Sequence, residues 1–197
     1  PAQINIPGYI AAIARGDYVD AVRIIKESNP FPLVCGRVCP HVCESACSRE
    51  GVDEEININH LKRFVADWER EQGTGALPPQ APPNGKKVAV VGSGPSGLTV
   101  AGDLIQKGYD VTIYEAFHKP GGVLVYGIPE FRLPKAIVAQ EVHFLERLGV
   151  KVEVNAVVGR TVSLDELFDE GFEAIYLGVG AGLPRFMNLP GENLIGI

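Results

Sequence analysis

The hydrophobic positions divide the chain into an N-terminal part with helical spacing and a C-terminal part in which short apolar runs alternate with helices. In the first part, Pro7 suits the first turn of a helix that runs to about Arg15, and Asp17 suits the N-cap of a second helix. A third helix is predicted from Asn57 to Glu71. The second helix has its apolar positions at Val19, Val22, Ile24 and Ile25, and the third is expected to bury Ile58, Leu61, Phe64, Val65 and Trp68.

Residues 73–85 form a Pro/Gly-rich segment without charged residues, which predicts a linker that is semi-rigid where its prolines pair. We therefore expect a small helical domain at 1–72, this linker, and a second domain at 86–197. The sequence has no internal repeat and no low-complexity tail.

From residue 86 onward, predicted strands and helices alternate along the chain. The strands are expected at 88–91, 110–114, 151–154 and 174–177, and the helices at 95–107, 134–148 and 163–168. Because strands that alternate with helices form parallel sheets covered by helices, the predicted fold is α + α/β, with a helical domain followed by a Rossmann-like domain.

A glycine loop (Gly-Ser-Gly-Pro-Ser-Gly, residues 92–97) follows the first predicted strand directly and opens a helix. Gly92 permits the tight turn, Gly94 lets the backbone approach a pyrophosphate, and Gly97 lets the helix pack close to the strand. The phosphates then lie at the positive end of the helix, where backbone N–H groups are free. Pro95 loses no hydrogen bond at this position.

The second predicted strand ends at Glu115, whose carboxylate can accept hydrogen bonds from the ribose hydroxyls of an adenosine. A strand, glycine loop, helix and acidic strand end together predict a dinucleotide site, although a glycine-rich turn in another kind of α/β domain is the alternative. The contacts to the cofactor are expected from Gly92, Gly94, Pro95, Ser96, Gly97 and Glu115.

All four cysteines of the chain lie within thirteen residues, at Cys35, Cys39, Cys43 and Cys47. Iron–sulfur clusters are held by thiolates from such short runs, often with a proline beside a cysteine, as Pro40 is here. Structural zinc sites usually use closer cysteine pairs, and disulfides are disfavoured in a reducing compartment. The pattern therefore favours iron–sulfur ligation, with zinc and inert thiols as alternatives.

The formal net charge of −6 argues against a nucleic-acid-binding surface, which needs clustered lysine and arginine. No apolar run is long enough to cross a bilayer, and no signal peptide is visible. We therefore expect a cytoplasmic protein with neither a nucleic-acid nor a membrane partner. His41, His60, His118 and His143 have no evident partner in the sequence, so no catalytic acid or base is assigned.

The glycine loop, the Tyr-Glu-Ala run at 114–116, Gly-Gly-Val-Leu at 121–124 and the segment 126–134 (Tyr-Gly-Ile-Pro-Glu-Phe-Arg-Leu-Pro) resemble the FAD domain of the glutamate synthase small (β) subunit family. Dihydropyrimidine dehydrogenase and the NADH-dependent ferredoxin–NADP oxidoreductases share this module. The resemblance implies a partial FAD-binding domain of the glutathione-reductase type. The FAD contacts that it implies are residues 94–97, Glu115, Gly122, Val123, Arg132 and, through its backbone, Val158.

Alternatives remain for some of these positions. Arg132 could be an ordinary surface arginine, and Val158 and Leu177 could be plain sheet core. The stretch 176–181 matches the family's strand end near the flavin.

The resemblance also implies a helical domain with two [4Fe–4S] clusters, between which the cysteines of the family are divided. This chain departs from the family in three ways: the gap between Cys39 and Cys43 is shorter, the family's upstream cysteines are missing before Pro1, and Lys62 stands at about the position of a Gln or Glu ligand. A protonated lysine cannot ligate iron.

In the family, a second glycine-loop domain for NAD(P)H follows the segment 189–193, and no second loop of this type is present here. We therefore expect an internal piece of a larger oxidoreductase that lacks the nicotinamide site and is inactive alone. The intact protein is expected to pass hydride from NAD(P)H to FAD, and single electrons to [4Fe–4S] clusters and to a catalytic or ferredoxin-like partner subunit. The alternatives are a non-catalytic docking module and a zinc-stabilised NAD-binding domain.

Overall fold

The computed structural model describes residues 3–73, 77–182 and 185–195. The helices are α1 (Ile6–Ala14), α2 (Tyr18–Lys26), α3 (Pro32–Val38), α4 (Ile58–Gln72), α5 (Pro95–Gln106), α6 (Val123–Tyr126), α7 (Lys135–Leu148) and α8 (Leu164–Asp169). The strands are β1 (Lys87–Val91), β2 (Asp110–Tyr114), β3 (Lys151–Glu153) and β4 (Phe172–Leu177). In the described ranges, no helix combines the length and apolar character needed to cross a membrane.

The strands form one parallel sheet in the order β3-β2-β1-β4, which confirms the predicted α/β architecture. Val90, Val111 and Ile113 pack under α5 and α7 on one face of the sheet. Ala89 and Phe172 pack against Leu167 of α8 on the opposite face. The sheet is therefore covered on both faces, as a parallel sheet requires.

Local capping signals fix several helix ends where the sequence predicts them. The Asp17 side chain accepts a hydrogen bond from the Asp20 N–H at the start of α2. Ser163 and Glu166 form a capping box at the start of α8. Gly149, with a φ of 106°, ends α7 in the left-handed conformation that glycine adopts without strain. These ends depend on neighbouring residues only, which is why the sequence predicts them.

Two short helices have no sequence prediction. Helix α3 has seven residues and carries Cys35, and α6 has four residues after the double glycine at 121–122. Isolated helices of such length are unstable in water, so their stability comes from tertiary contacts that periodicity does not reveal.

The predicted buried face of α4 is partly wrong. Ile58 and Val65 are buried as expected, but Phe64 is 46% exposed. Leu61 and Trp68 are only half-buried. The residues that α4 buries are Ile58, Asn59, Lys62, Val65 and Ala66. The face is rotated because α4 packs on both α2 and α3, and polar residues fill its contact with α3.

Aromatic contacts at the protein surface account for the exposed apolar positions of α4. The rings of Phe64 and Trp68 lie edge-on to Tyr18, with centroids 5.2 and 5.3 Å away. Val19, one of the apolar positions of α2, is 61% exposed. Helical periodicity therefore located these helices correctly but overstated how much of each apolar stripe is covered.

The helical part and the sheet part share one hydrophobic core in the described ranges. Phe31, Leu33 and Val34, at the start of α3, belong to the same buried cluster as Val90 of β1 and Leu145 of α7. A second cluster lies among α1, α2 and α4, around the buried ring of Tyr9. Its hydroxyl donates to the carbonyl oxygen of Ile58 at 2.7 Å. The helix that carries Cys35 is therefore packed directly onto the sheet part.

The described part of the predicted linker lies along the sheet part. The Ala81 N–H donates to the carbonyl oxygen of Gln106, and the Asn84 N–H donates to that of Gly108. The side chain of Gln80 donates to the carbonyl oxygen of Leu148 at 2.7 Å. Residues 77–85 are therefore held by hydrogen bonds at several points. Residues 74–76 of the predicted linker lie outside the described ranges.

A buried carboxylate joins α7 to α3. Glu141 is 5% exposed, and its two oxygens accept hydrogen bonds from the N–H groups of Leu33 (2.7 Å) and Val34 (3.3 Å) in the first turn of α3. These N–H groups have no partner within the helix, so the carboxyl group caps α3 from a distant element. Burial raises the pKa of Glu141 to about 8, although Lys26, Arg37 and the two N–H groups oppose that shift.

We predict that this carboxyl group makes folding stability depend on pH. The unfolded chain releases the proton near the ordinary pKa of 4.5, whereas the folded protein holds it to about 8. Stability is therefore greatest below the unfolded value and falls as the pH rises toward 8, by up to about 1.4 kcal/mol per pH unit. Glu141→Gln should remove this decline. Urea unfolding at pH 5, 6, 7 and 8 measures it.

The exposed Glu71 on α4 provides the matched control, since Glu71→Gln makes the same chemical change at the surface. The free energy of unfolding of Glu71→Gln should change with pH in the same way as that of the unmodified protein. A Glu141→Gln profile parallel to that of the unmodified protein would show that Glu141 does not titrate in this range.

Candidate dinucleotide and iron–sulfur sites

The first and third glycines of the loop at 92–97 are required by the packing of the fold. A Cβ atom on Gly92, whose φ is 99°, would lie 2.4 Å from the carbonyl oxygen of Gly178. A Cβ on Gly97 would lie 2.0 Å from the carbonyl oxygen of Gly92. Real Cβ atoms do not approach oxygen so closely, so both positions must be glycine for β1, α5 and the end of β4 to meet.

Gly94 differs from its two neighbours in the motif, because a Cβ atom there would meet nothing within 4 Å. Gly94 is the N-cap of α5 and offers no side-chain cap. The space beside Gly94, at the start of this twelve-residue helix, is therefore open in the direction of a side chain. This is the geometry that accepts a pyrophosphate.

Glu115 holds the loop from the end of β2. Its carboxylate is only 4% exposed and accepts hydrogen bonds from the Ser93 N–H (2.9 Å), the Ser93 hydroxyl and the Phe117 N–H (2.8 Å). A carboxylate has about four acceptor positions, so at least one remains for a ribose hydroxyl. The contact with ribose stays a prediction, and the structure adds a second role, which is to fix Ser93.

The double glycine after β2 folds back onto the loop. Ser93, fully buried, accepts a hydrogen bond from the Gly121 N–H at 2.9 Å. Gly122 has a φ of 51°, and a Cβ there would lie 2.8 Å from the Cα of Gly94. Val123, which begins α6, is 55% exposed beside it. The structure therefore brings Gly94, Gly122 and Val123 together as one backbone-lined surface.

Arg132 and Val158 have other surroundings. Arg132 is exposed in the turn before α7, where its N–H donates to the carbonyl oxygen of Pro129. Val158 is half-buried against the cluster around Leu167. Their assignment to FAD remains a prediction. Leu177, for which sheet core was an alternative, is 60% exposed, so that alternative is wrong for this residue.

A hydroxyl pair at the first turn of α5 is not anticipated by the sequence. The Ser96 and Tyr176 hydroxyl oxygens are 2.6 Å apart. Tyr176 lies on β4, is paired with Val90 of β1, and packs against the core cluster under α5. The alternation of side chains along β4 could have predicted this pair, because it places residue 176 on the same side of the sheet as the helix.

The cysteines lie on α3 and in the turn-rich segment that follows it. Cys35 is on α3, Cys39 is its C-cap, Cys43 lies in a turn, and Cys47 lies between two turns. All are half-buried and free. Cys43 packs on the cluster around Tyr9 and helps to raise the pKa of that phenol, after the larger effect of burial.

Among residues 3–73, 77–182 and 185–195, no group of three or more His, Cys, Asp or Glu side chains is arranged to hold a metal ion. The four thiols are therefore not gathered into one site. Their chemistry nevertheless fits an iron–sulfur cluster, because they are free, half-buried thiols with no disulfide between them. Burial raises the pKa of Cys35, while Lys62 and the Asn29 side chain lower it.

A polar network ties the cysteine segment to α4. Glu44, 9% exposed, accepts a hydrogen bond from the Asn59 N–H at 2.8 Å, and so caps α4. The Asn59 side chain donates to the carbonyl oxygen of Gly36 at 3.0 Å. Arg37 of α3 pairs with Asp67 of α4 at 2.7 Å. Sequence reasoning missed Glu44 and Asn59 because their partners are distant in sequence.

The structure also supplies partners for several histidines that have none evident in the sequence. His41 and Glu44 lie 3.1 Å apart, as do His143 and Glu146. His118 Nδ1 lies 3.3 Å from the Tyr126 hydroxyl. Each contact is with a near neighbour in the chain, and none of them lies at the glycine loop.

A parallel sheet with a glycine loop at a helix N-terminus, packed against helices that carry four cysteines, defines a dinucleotide-binding protein joined to a candidate iron–sulfur domain. Comparison with known families agrees with this class. Residues 1–74 match the family described as dihydropyrimidine dehydrogenase domain II, 4Fe-4S cluster. Residues 90–132 match the NAD(P)-binding Rossmann-like domain. The two parts of the chain are therefore similar to these two families.

Three similar proteins each align with nearly the whole of this chain. The β subunit of the NADPH-Fe(3+) oxidoreductase of Geobacter sulfurreducens is 39% identical over 98% of this chain and 29% of its own length. The β subunit of the NADP(+)-dependent formate dehydrogenase of Moorella thermoacetica is 39% identical over 98% and 30%. Subunit PreT of the NAD-dependent dihydropyrimidine dehydrogenase of Escherichia coli K12 is 41% identical over 94% and 46%.

These relatives are all oxidoreductase subunits by name, and this chain spans less than half of their length. The matched families account for both predicted cofactor classes, a 4Fe–4S cluster and a dinucleotide. None of these relatives is a glutamate synthase subunit by name, so that finer assignment does not follow from them.

Gly94→Val should abolish dinucleotide binding without unfolding the protein. The new side chain would fill the open space beside α5 and would meet no protein atom near its Cβ. We expect at least a tenfold loss of affinity for the dinucleotide, measured by flavin fluorescence quenching, and little change in circular dichroism or iron content.

Two further glycine variants make this test sharper. Gly51→Val, also in open space but far from the loop in sequence, should leave affinity unchanged. Gly97→Val should unfold the sheet part, because its Cβ has no room. Normal affinity in a folded Gly94→Val protein would place the pyrophosphate elsewhere.

Proposed function

We propose that the intact protein transfers electrons between NAD(P)H, FAD and [4Fe–4S] clusters, and passes them to a partner subunit. The observation that carries this proposal is that the helix with Cys35 and the sheet that ends in the glycine loop share one hydrophobic core. Helix α3, which holds Cys35, is also capped by Glu141 of α7. Electron transfer needs cofactors held in a fixed relation to each other, and a shared core supports such a relation.

FAD is the dinucleotide that we propose for the loop at 92–97. The pyrophosphate would lie at Gly94, Pro95, Ser96 and Gly97, with Gly92 shaping the turn and Glu115 accepting from the ribose. The backbone at Gly122 and Val123 continues the surface beyond Gly94, as a ligand longer than an adenosine diphosphate requires. Arg132 would contact the flavin half, and the backbone of Val158 the adenine.

A flavin suits this position because it accepts two electrons as hydride and releases them one at a time. Cys35, Cys39, Cys43 and Cys47 are proposed as cluster ligands that divide between more than one cluster. Their surroundings support division, since the Cys39 N–H donates to the carbonyl oxygen of Cys35, while Cys43 packs on the cluster around Tyr9.

The nicotinamide nucleotide and the final acceptor are proposed from the relatives. Their names include NADPH, NADP(+) and NAD, and they are subunits of larger assemblies. We propose a catalytic or ferredoxin-like partner subunit, in an arrangement of the glutamate synthase small-subunit type. We propose a location in the cytoplasm, because four cysteines that ligate iron need a compartment in which thiols stay reduced.

Anaerobic purification tests the proposal. We expect a flavin spectrum with a broad shoulder at about 400 nm from thiolate–iron clusters, together with iron, acid-labile sulfide and FAD released on denaturation. Cys35→Ser should lower iron content while FAD is retained, because the two sites use different residues. Gly94→Val should do the reverse.

Two other results of this purification would each support one of the alternative functions. Stoichiometric zinc without flavin would indicate a zinc-stabilised NAD-binding domain. A colourless, metal-free protein that folds well would indicate a docking module, and would contradict electron transfer by this part of the protein.

A further inference from the structure

Lys135 is the first residue of α7, a position at which a cation is normally disfavoured because the N-terminus of a helix carries partial positive charge. Its side chain turns back from α7 toward α6. The Nζ atom donates to the carbonyl oxygens of Leu124 (3.0 Å), Ile128 and Leu133 (3.2 Å). An ammonium group has three N–H donors, and each of them has an acceptor here. Lys135 therefore binds the backbone at three points, in α6 and in the turn that follows it.

The backbone that Lys135 binds is short of N–H donors. Helix α6 has four residues, so its carbonyl groups have no N–H group four residues further on inside the helix. The turn between α6 and α7 includes Pro129 and Pro134, neither of which has an N–H group. The ammonium group of Lys135 adds three donors to a stretch in which the two prolines contribute none.

The stretch between α6 and α7 is also anchored to the core. The side chains of Leu124 and Leu133 are buried in the main hydrophobic cluster. The carboxylate of Glu130 accepts a hydrogen bond from the backbone N–H of Lys135 at 3.1 Å, which closes the turn onto the start of α7. The backbone of residues 123–134 is therefore tied to the core by its leucine side chains, and to α7 by Lys135 and Glu130.

This stretch carries residues that we propose for the flavin half of FAD. Val123 is the first residue of α6 and Arg132 lies in the turn, and both are exposed. The glycine loop, which is proposed for the pyrophosphate, is held separately by hydrogen bonds from Ser93 to the Glu115 carboxylate. The two halves of the proposed site are therefore fixed by different side chains.

We propose that Lys135 is a positioning residue for FAD, whose ammonium group holds α6 and the following turn in the arrangement that receives the flavin ring. All three of its N–H groups donate to carbonyl oxygens, so it acts through the backbone and does not bind the ligand itself. A surface that is ordered in advance binds more tightly, because less conformational freedom is lost when the ligand arrives. This inference rests on the proposed function, since it requires FAD at the glycine loop.

ADP separates this role from a general contribution to folding. It contains the adenosine and the pyrophosphate of FAD but has no flavin. A residue that orders the flavin half alone should affect the binding of FAD and leave the binding of ADP unchanged. A residue that merely stabilises the fold should affect both ligands alike.

The test compares FAD and ADP binding in the intact protein after its flavin has been removed. Lys135→Met removes the three donors and keeps a side chain of similar length. We expect the affinity for FAD, measured by flavin fluorescence, to fall at least about tenfold. The affinity for ADP, measured by its competition with FAD for the same site, should not change, and neither should the circular dichroism spectrum.

Lys107→Met is the matched control, because Lys107 is exposed at the C-terminal end of α5. It makes the same chemical change away from the stretch between α6 and α7. The affinities for FAD and ADP should both equal those of the unmodified protein.

A smaller side chain allows the missing cation to be supplied from solution. Lys135→Ala leaves the space of the lost atoms, and propylammonium carries the same three carbons and ammonium group. We expect propylammonium to restore the FAD affinity of Lys135→Ala. Propanol, which has the same size but no charge and a single donor, should not restore it.

The outcomes separate this inference from the function on which it rests. A folded Lys135→Met protein that keeps its affinity for FAD would overturn the positioning role and leave the proposed function intact. Equal losses of FAD and ADP affinity would also overturn it, because Lys135 would then support the fold in general. If Lys135→Met does not fold, Lys135→Ala decides, since recovery with propylammonium supports the inference and no recovery overturns it. An unmodified protein that binds no FAD would overturn the inference and the proposed function together.

Discussion

Two hydrogen bonds, from the first turn of α3 to the buried carboxyl group of Glu141, fix how the helical part of the protein packs on the sheet part. A seven-residue helix cannot stand alone in water, and α3 has no side-chain cap of its own. Its cap comes from α7, across more than a hundred residues of sequence. The position of Cys35 relative to the sheet is therefore fixed by a residue of the sheet part.

The same physical device occurs a second time at the cysteine segment. Glu44 caps the first turn of α4 through the Asn59 N–H, as Glu141 caps α3. Buried carboxyl groups are costly unless each is paired with donors that have no other partner, and helix N-termini provide such donors. Both helices beside the cysteines are thus oriented by acids from other elements. A segment built mostly of turns gains a defined geometry in this way.

The features that sequence predicts well here are those that depend on near neighbours. The caps Asp17 and Ser163, the turn at Gly149 and the whole of β2 have boundaries set by a few adjacent residues. The glycine loop is equally local, and its predicted roles for Gly92 and Gly97 agree with the packing. Helix α3, the rotated face of α4 and the role of Glu115 in holding Ser93 depend on contacts between distant residues, which periodicity cannot supply.

The two candidate sites consequently differ in how they are built. The dinucleotide site is made of backbone, because its glycines, its free N–H groups and Gly122 all present main-chain atoms to the open space at Gly94. The cysteine site is made of side chains, and the elements that carry them are oriented by distant residues: Glu141 caps the helix that carries Cys35, and Glu44 caps α4. A backbone cradle recognises the common shape of a dinucleotide, and its glycine spacing is visible in the sequence. The spacing of the cysteines is visible there too, but only the folded structure reveals the acids that orient the helices around them.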